Sequence, residues 1–116
     1  MSKIERFEDI KARQNARELS RIIYNIFVDT QDWWFKNQIC RASISIGNNI
    51  AEWFDRQSNK ELRQFLYIAK WSCSEVRSMI YTWIDLWYIN QTQFEEIHNL
   101  CTIISKQLTN FIKSIS

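Results

Sequence analysis

The most constraining feature of the sequence is the near absence of the residues that build tight turns. The 116 residues include one glycine and no proline. Sandwiches, barrels and dinucleotide-binding folds need many tight turns, and glycine and proline supply the backbone conformations that such turns require. The sequence therefore predicts an all-α protein, and its length predicts a single domain over residues 1–116.

A long apolar stripe in the middle of the chain determines how the helices must pack. Between Ser58 and Trp87 the apolar residues recur at alternating steps of three and four, which places them on one face of a helix. They are Leu62, Phe65, Leu66, Ala69, Cys73, Val76, Ile80, Trp83 and Trp87. A helix with one apolar face is not stable alone, because its stability comes from burying that face against other helices.

Three further segments repeat the same period and supply the packing partners. The first begins near Asp9, the second follows a break at residues 28–32, and the last ends near Ile115. Short connections join all four segments, which is typical of an antiparallel up-down-up-down four-helix bundle. The only glycine, Gly47, lies inside the second segment and indicates a bend or a close approach between helices.

Polar side chains at defined positions predict where helices begin and where they bond to each other. Thr30 or Asp32 can cap the second helix by accepting a hydrogen bond from a free backbone N–H. Two pairs with capping-box spacing predict the starts of the third and fourth helices, Ser58 with Glu61 and Thr92 with Glu95. Polar residues beside the apolar stripe predict a network between the second and third helices, from Ser43, Ser45 and Asn49 to Ser72 or Glu75.

The charges are nearly balanced overall but unevenly distributed. Lys and Arg number 15 against 13 acids, and a net charge of +2 does not by itself identify a nucleic-acid-binding protein. Seven basic residues and four acids lie between Lys36 and Arg77, whereas the segment from Ser78 to Ser105 holds three acids and no Lys or Arg. One part of the bundle is therefore expected to be basic and another acidic.

Two groups of basic residues are candidates for phosphate contact. The first is a row spaced four apart on the first helix, Arg13, Arg17 and Arg21. The second lies around the second and third helices, Arg41, Arg56, Lys60, Arg63 and Lys70. If these side chains bind phosphates, affinity falls steeply with salt. The alternative is a solvated face on which acids such as Glu18 pair with the arginines.

The sequence predicts neither catalysis nor a bound metal or cofactor. Three cysteines at unrelated spacings, Cys40, Cys73 and Cys101, are typical of free thiols in a cytoplasmic protein, and no segment is apolar for long enough to span a membrane. Glu95 and His98 have the spacing of a di-metal ligand pair, but a second such pair would need a second histidine and the chain has one. No nucleophile has an evident base, and no glycine-rich phosphate loop or small-molecule site is expected.

One region of the sequence resembles a known family. The run from Arg41 to Glu52, followed by Arg56, Ser58, the block from Lys60 to Lys70, Ser72 and Glu75, resembles the signature of proteins encoded in intervening sequences of 23S ribosomal RNA. The resemblance covers the chain from about Asp9 to its end.

That resemblance implies an up-down bundle that assembles into a barrel-shaped homopentamer. A similar bundle is the accessory variability protein of diversity-generating retroelements, whose basic pentamer binds RNA and a reverse transcriptase. The resemblance thus implies a non-enzymatic homo-oligomer that acts as an accessory or scaffold with an RNA or DNA partner. The alternative is a protein-interaction module that binds no nucleic acid.

The chain departs from the family pattern at three positions. Gly47 stands where proline is usual, and Trp53 and Trp71 stand where small residues are usual. Large rings are enriched at subunit contacts, so the indoles predicted at an oligomer interface are Trp33, Trp34, Trp53 and Trp71. The alternative is that Trp53 and Trp71 are exposed rings on which bases stack.

Overall fold

The predicted helical periods all fold as helices in the computed structural model, which describes residues 3–56 and 63–115, with side chains from residue 10 onward. The helices are α1 (Lys3–Phe27), α2 (Trp33–Asp55), α3 (Gln64–Asp85) and α4 (Gln91–Ser114). The described ranges contain no strand. The prediction of an all-α fold with four helices is confirmed.

The four helices form a ring in which each packs against two others. Contacts join α1 to α2, α2 to α3, α3 to α4, and α4 back to α1. Phe27 and Trp83, at the C-terminal ends of α1 and α3, meet at one end of the molecule with ring centroids 3.8 Å apart. Trp53 and Phe111, late in α2 and α4, stack at the other end at 5.6 Å. The topology is therefore up-down-up-down, as predicted.

The core consists of the apolar faces of all four helices. Its fully buried side chains include most of those that the sequence pattern predicts, among them Leu19, Ile39, Ile46, Ile50, Leu66, Ile80, Trp83, Ile97, Ile104 and Leu108. Trp87, at the end of the predicted stripe, is instead 91% exposed, because α3 ends at Asp85. Within the described ranges, none of the helices combines the length and the apolar character needed to cross a bilayer.

Two helix starts show which capping predictions are correct. Asp32 caps α2 by accepting a hydrogen bond from the backbone N–H of Phe35 at 3.2 Å. The predicted box of Thr92 with Glu95 is wrong: α4 begins two residues earlier, with Asn90 and Gln93 forming a reciprocal capping box. Asn is a stronger N-cap than Thr, which explains the earlier start.

Other boundaries also differ from those expected. Helix α1 begins at Lys3, about two turns before the expected start near Asp9. The capping box of Ser58 with Glu61 lies outside the described residues, and α3 is described from Gln64.

The predicted polar network between α2 and α3 exists in part. Ser72 donates to Ser45 Oγ at 3.0 Å, and Asn49 donates to the same oxygen at 3.1 Å. Ser43 instead donates to the backbone oxygen of Cys40 within its own helix, and Glu75 is exposed to solvent. The network therefore has one bond across the α2–α3 interface.

Gly47 marks the place where α1 and α2 approach closely. A Cβ atom built at Gly47 would lie 3.6 Å from the Cβ of Ala16 on α1. That distance is an ordinary van der Waals contact, so the approach leaves room for an alanine. The prediction of a close approach is met, although packing does not require glycine there.

Helix α3 ends in a backbone conformation that normally belongs to glycine. Trp87 has φ of 65°, in the left-handed region. The N–H of Tyr88 donates to Trp83 O at 2.9 Å and that of Trp87 to Ile84 O at 3.2 Å, which together make a Schellman motif. Since the left-handed region costs L-residues about 1–2 kcal/mol, Trp87 holds a strained position with a side chain that is 91% exposed.

We predict that Trp87→Gly raises the free energy of unfolding by about 1 kcal/mol, because glycine relieves the strain and the exposed indole contributes little packing. Urea unfolding followed by circular dichroism measures the change. Trp87→Ala is the control, since it removes the ring but keeps the Cβ atom and should bring no gain. A Trp87→Gly protein no more stable than the Ala variant would contradict the argument.

Candidate nucleic-acid interface

The predicted arginine row on α1 does not form a uniform charged surface. Arg13 is half-buried, and its Nη2 atom lies 3.5 Å from Asp55 Oδ1 at the end of α2. Its guanidinium carbon also lies 5.8 Å from the ring centre of Phe54. Arg13 therefore holds α1 against α2 and is committed to an intramolecular contact.

The next two arginines of the row differ from each other. Arg21 Nε donates to Glu18 at 3.0 Å, and this hydrogen bond lowers the pKa of Glu18 and raises that of Arg21. Arg17 is exposed and has no acidic partner among the residues that the structure describes. Of the three, Arg17 is the side chain whose charge remains available to a ligand.

The second group of predicted basic residues divides in the same way. Arg56 pairs with Glu52 at 2.9 Å and covers the ring of Phe65 at 5.5 Å. Arg41 and Arg63 are exposed and Lys70 is half-buried, and none of them pairs with an acid in the described ranges. Lys60 lies outside the described residues.

The predicted interface indoles also occupy two different environments. We expected Trp53 at a subunit contact, but it is 3% exposed and packs between Phe54 and Phe111 inside the monomer. Trp33, Trp34 and Trp71 are 73%, 65% and 72% exposed. These three remain available to another subunit, and their role there stays a prediction.

A cationic groove between α3 and α4 brings together residues that the sequence pattern did not. It has a volume of about 450 Å³ and its lining includes four cations, Lys70 and Arg77 from α3 and Lys106 and Lys113 from α4. The other lining residues are Thr102, Ser105, Thr109 and Asn110, so no acid lines it. None of the four cations pairs with an acid among the described residues.

Sequence reasoning found only Lys70 of these four cations. Counting charges along the chain separated Arg77 from Lys106, because the acidic segment from Ser78 to Ser105 lies between them. Because α4 runs antiparallel beside α3, the two cations of α3 and the two of α4 line the same groove. The signal that could have found them is the spacing of seven residues from Lys70 to Arg77 and from Lys106 to Lys113. Seven residues are about two helical turns, so the two cations of each pair lie on one side of their helix.

Comparison with known proteins shows the family of the chain. The family model for 23S rRNA-intervening sequence protein matches residues 8–110. The chain belongs to this family. Its fold is similar to that of a protein of unknown function from the S23 ribosomal protein family of Bacteroides thetaiotaomicron, with 32% sequence identity and a TM-score of 0.82. That match covers 91% of this chain and 98% of the other. No curated protein matches the chain.

The Glu95 and His98 pair lies in an aromatic setting. His98 stacks on Phe94 with ring centroids 5.7 Å apart and meets the edge of Tyr81 at 6.2 Å. Glu95 accepts a hydrogen bond from Gln91 at 3.3 Å. Among the described residues, no three His, Cys, Asp or Glu side chains lie close enough together to hold a metal ion.

The three thiols of this family member are free and shielded. Cys73 and Cys101 are buried, and Cys40 is half-buried. Burial raises the pKa of all three and brings that of Cys73 to about 12. A thiol with so high a pKa is protonated at neutral pH, and the thiolate is the nucleophile. The geometry therefore gives the cysteines a packing role.

We predict that Cys73 makes stability fall with pH in alkaline solution. Its folded-state pKa lies above its unfolded value, so its contribution is complete below about pH 8.5 and is lost as pH rises toward about 12. The slope is about 1.4 kcal/mol per pH unit. Urea unfolding across this range measures it, and Cys73→Ala should flatten the curve by that amount. Equal slopes in the two proteins would refute the prediction.

Proposed function

We propose that this protein is a non-enzymatic homo-oligomer that acts as an accessory or scaffold associated with RNA or another nucleic acid. The name of the family refers to intervening sequences of 23S ribosomal RNA, which supports an RNA partner. The solved neighbour is of unknown function. The observation that carries the proposal is the set of surface cations without acidic partners in the described ranges. From the predicted group these are Arg17, Arg41, Arg63 and Lys70.

A more specific form of the proposal follows from the resemblance of this sequence to the accessory variability protein. In that form, five copies assemble into a barrel in the cytoplasm and present their cations to RNA bound to a partner protein. Free thiols support the reducing compartment, because all three cysteines are unpaired. The exposed indoles of Trp33, Trp34 and Trp71 supply surfaces on which copies can pack.

We predict that the protein runs as an oligomer in light scattering on a sizing column and gains the mass of a structured RNA at about 50 mM salt but not at about 200 mM. The salt dependence arises because cations that bind phosphates release condensed counterions. Arg17→Gln with Arg41→Gln should reduce the RNA-bound fraction. Arg21→Gln is a control, since Arg21 is already paired with Glu18. Absence of RNA binding at both salt concentrations would reject the nucleic-acid function.

A second candidate function is protein assembly without nucleic acid. The observation that favours it is that Arg13, Arg21 and Arg56 are paired with acids of the same chain. Ion pairs of this kind neutralise charge that a phosphate would need. The exposed pair of Trp71 and Ile68, 72% and 44% exposed on the outer face of α3, would then be part of the contact between subunits.

We predict that Trp71→Gln weakens the oligomer by at least 2 kcal/mol, a roughly thirtyfold rise in the dissociation constant, because a central indole is a typical hot-spot residue. Sedimentation at several protein concentrations measures the constant. The matched control is Trp87→Gln, which removes an indole that is 91% exposed and belongs to no predicted interface. Equal effects of both variants would show that Trp71 has no special role.

A further inference from the structure

The groove between α3 and α4 has features that the predicted arginine sites lack. Its four cations lie in two pairs, each spread over seven residues of helix, or about 10 Å. A stacked nucleic-acid strand carries a phosphate about every 3.4 Å along its axis, so a span of about 10 Å reaches about four consecutive phosphates. With no acid in the lining, nothing within the groove competes for the cations.

Hydrogen-bonding groups add to the charge. The hydroxyl groups of Thr102 and Thr109 donate to backbone oxygens one turn earlier, His98 O and Ser105 O, each at 2.9 Å. Their oxygens thus have fixed positions along the groove. Asn110 contributes an amide, which can donate to a phosphate oxygen or to a sugar.

Aromatic side chains flank the cations on α3. On α3, Lys70 and Arg77 line the groove and Tyr81 contacts α4, while Tyr67 lies one helical turn before Lys70. Tyr67 and Tyr81 are 52% and 53% exposed. Tyr81 is held by edge contact with Phe94 on α4, with ring centroids 5.0 Å apart. Cations that follow a backbone, with aromatic rings beside them, form the arrangement that binds single strands.

We propose that the α3–α4 groove binds a single-stranded nucleic acid, with Lys70, Arg77, Lys106 and Lys113 contacting phosphates and Tyr67 and Tyr81 stacking on bases. The inference rests on the proposed nucleic-acid function and assigns it to a face to which the predicted basic residues contribute only Lys70. Backbone charge and base stacking carry little sequence information, so the groove accepts RNA and DNA strands of many sequences.

The test measures binding of a fluorescent oligouridylate of about 16 nucleotides by anisotropy at several salt concentrations. Four phosphate contacts on a single strand give a salt slope of about −2.8, which is a roughly fiftyfold loss of affinity between about 50 and about 200 mM salt. Lys106→Gln with Lys113→Gln should reduce the slope to about −1.4 and the loss to roughly sevenfold.

The matched control removes two charges elsewhere, through Arg21→Gln with Arg56→Gln, whose side chains already pair with Glu18 and Glu52, and it should leave the slope near −2.8. Lys106→Arg with Lys113→Arg should restore the wild-type slope, since it keeps the charge. Thermal unfolding verifies that each variant is folded. A slope that falls in the Arg17 and Arg41 variant and not in the groove variant would overturn the groove assignment while leaving the proposed function standing.

Two further measurements test the nature of the ligand. A duplex of the same length should bind at least fivefold more weakly than the single strand, and Tyr81→Leu should remove most of that preference, because stacking on Tyr81 requires an unpaired base. Polyglutamate should fail to compete at equal charge. Equal binding of duplex and single strand would overturn the stacking role, and competition by polyglutamate would indicate an acidic peptide as the ligand. No binding of any strand by the wild-type protein would reject the proposed function itself.

Discussion

Two aromatic contacts, one at each end of the bundle, connect helices that are not neighbours in the ring. Phe27 meets Trp83 across the α1–α3 diagonal, and Trp53 stacks on Phe111 across the α2–α4 diagonal. Each helix thereby depends on the opposite one as well as on its two neighbours. A helix with a single apolar face is unstable alone, so each helix must keep that face toward the core. The two aromatic contacts fix the rotation of every helix about its axis, and that rotation decides which polar residues reach the surface.

The consequence is visible on α3, where neighbouring residues serve different purposes. Ser72 is buried and bonds to Ser45 of α2, whereas Lys70 lines the groove with α4 and Trp71 is exposed on the outside. A step of 100° per residue separates these directions. A rotation of α3 by one residue would bury the lysine and expose the core, which is why the aromatic contacts in the core also determine the chemistry of the outer faces.

The periodic pattern predicted most of the fold, because burial of an apolar face depends on spacing that the sequence displays directly. The choice between neighbouring caps and the contacts between distant segments were harder to predict. Thr92 and Glu95 have the spacing of a capping box, but the box forms two residues earlier, between Asn90 and Gln93. Trp53 and Trp71 both stand where the family usually has small residues, yet Trp53 packs on Phe111 and Trp71 faces water. Predicting the groove required knowledge that α3 packs against α4, because the cations of the two helices are far apart in the chain.

Assembly and strand binding need not compete for the same surface. Trp71 and Ile68 are exposed on the outer side of α3, whereas Lys70 and Arg77 line the groove with α4, so a subunit contact through the indole leaves these cations open to a strand. A groove with about four phosphate contacts binds one strand weakly and with strong salt dependence. Repeating the groove in each copy of an oligomer lets a longer strand contact several grooves, and the second contact then forms at a high effective concentration. Oligomerisation would therefore supply the affinity that one groove lacks.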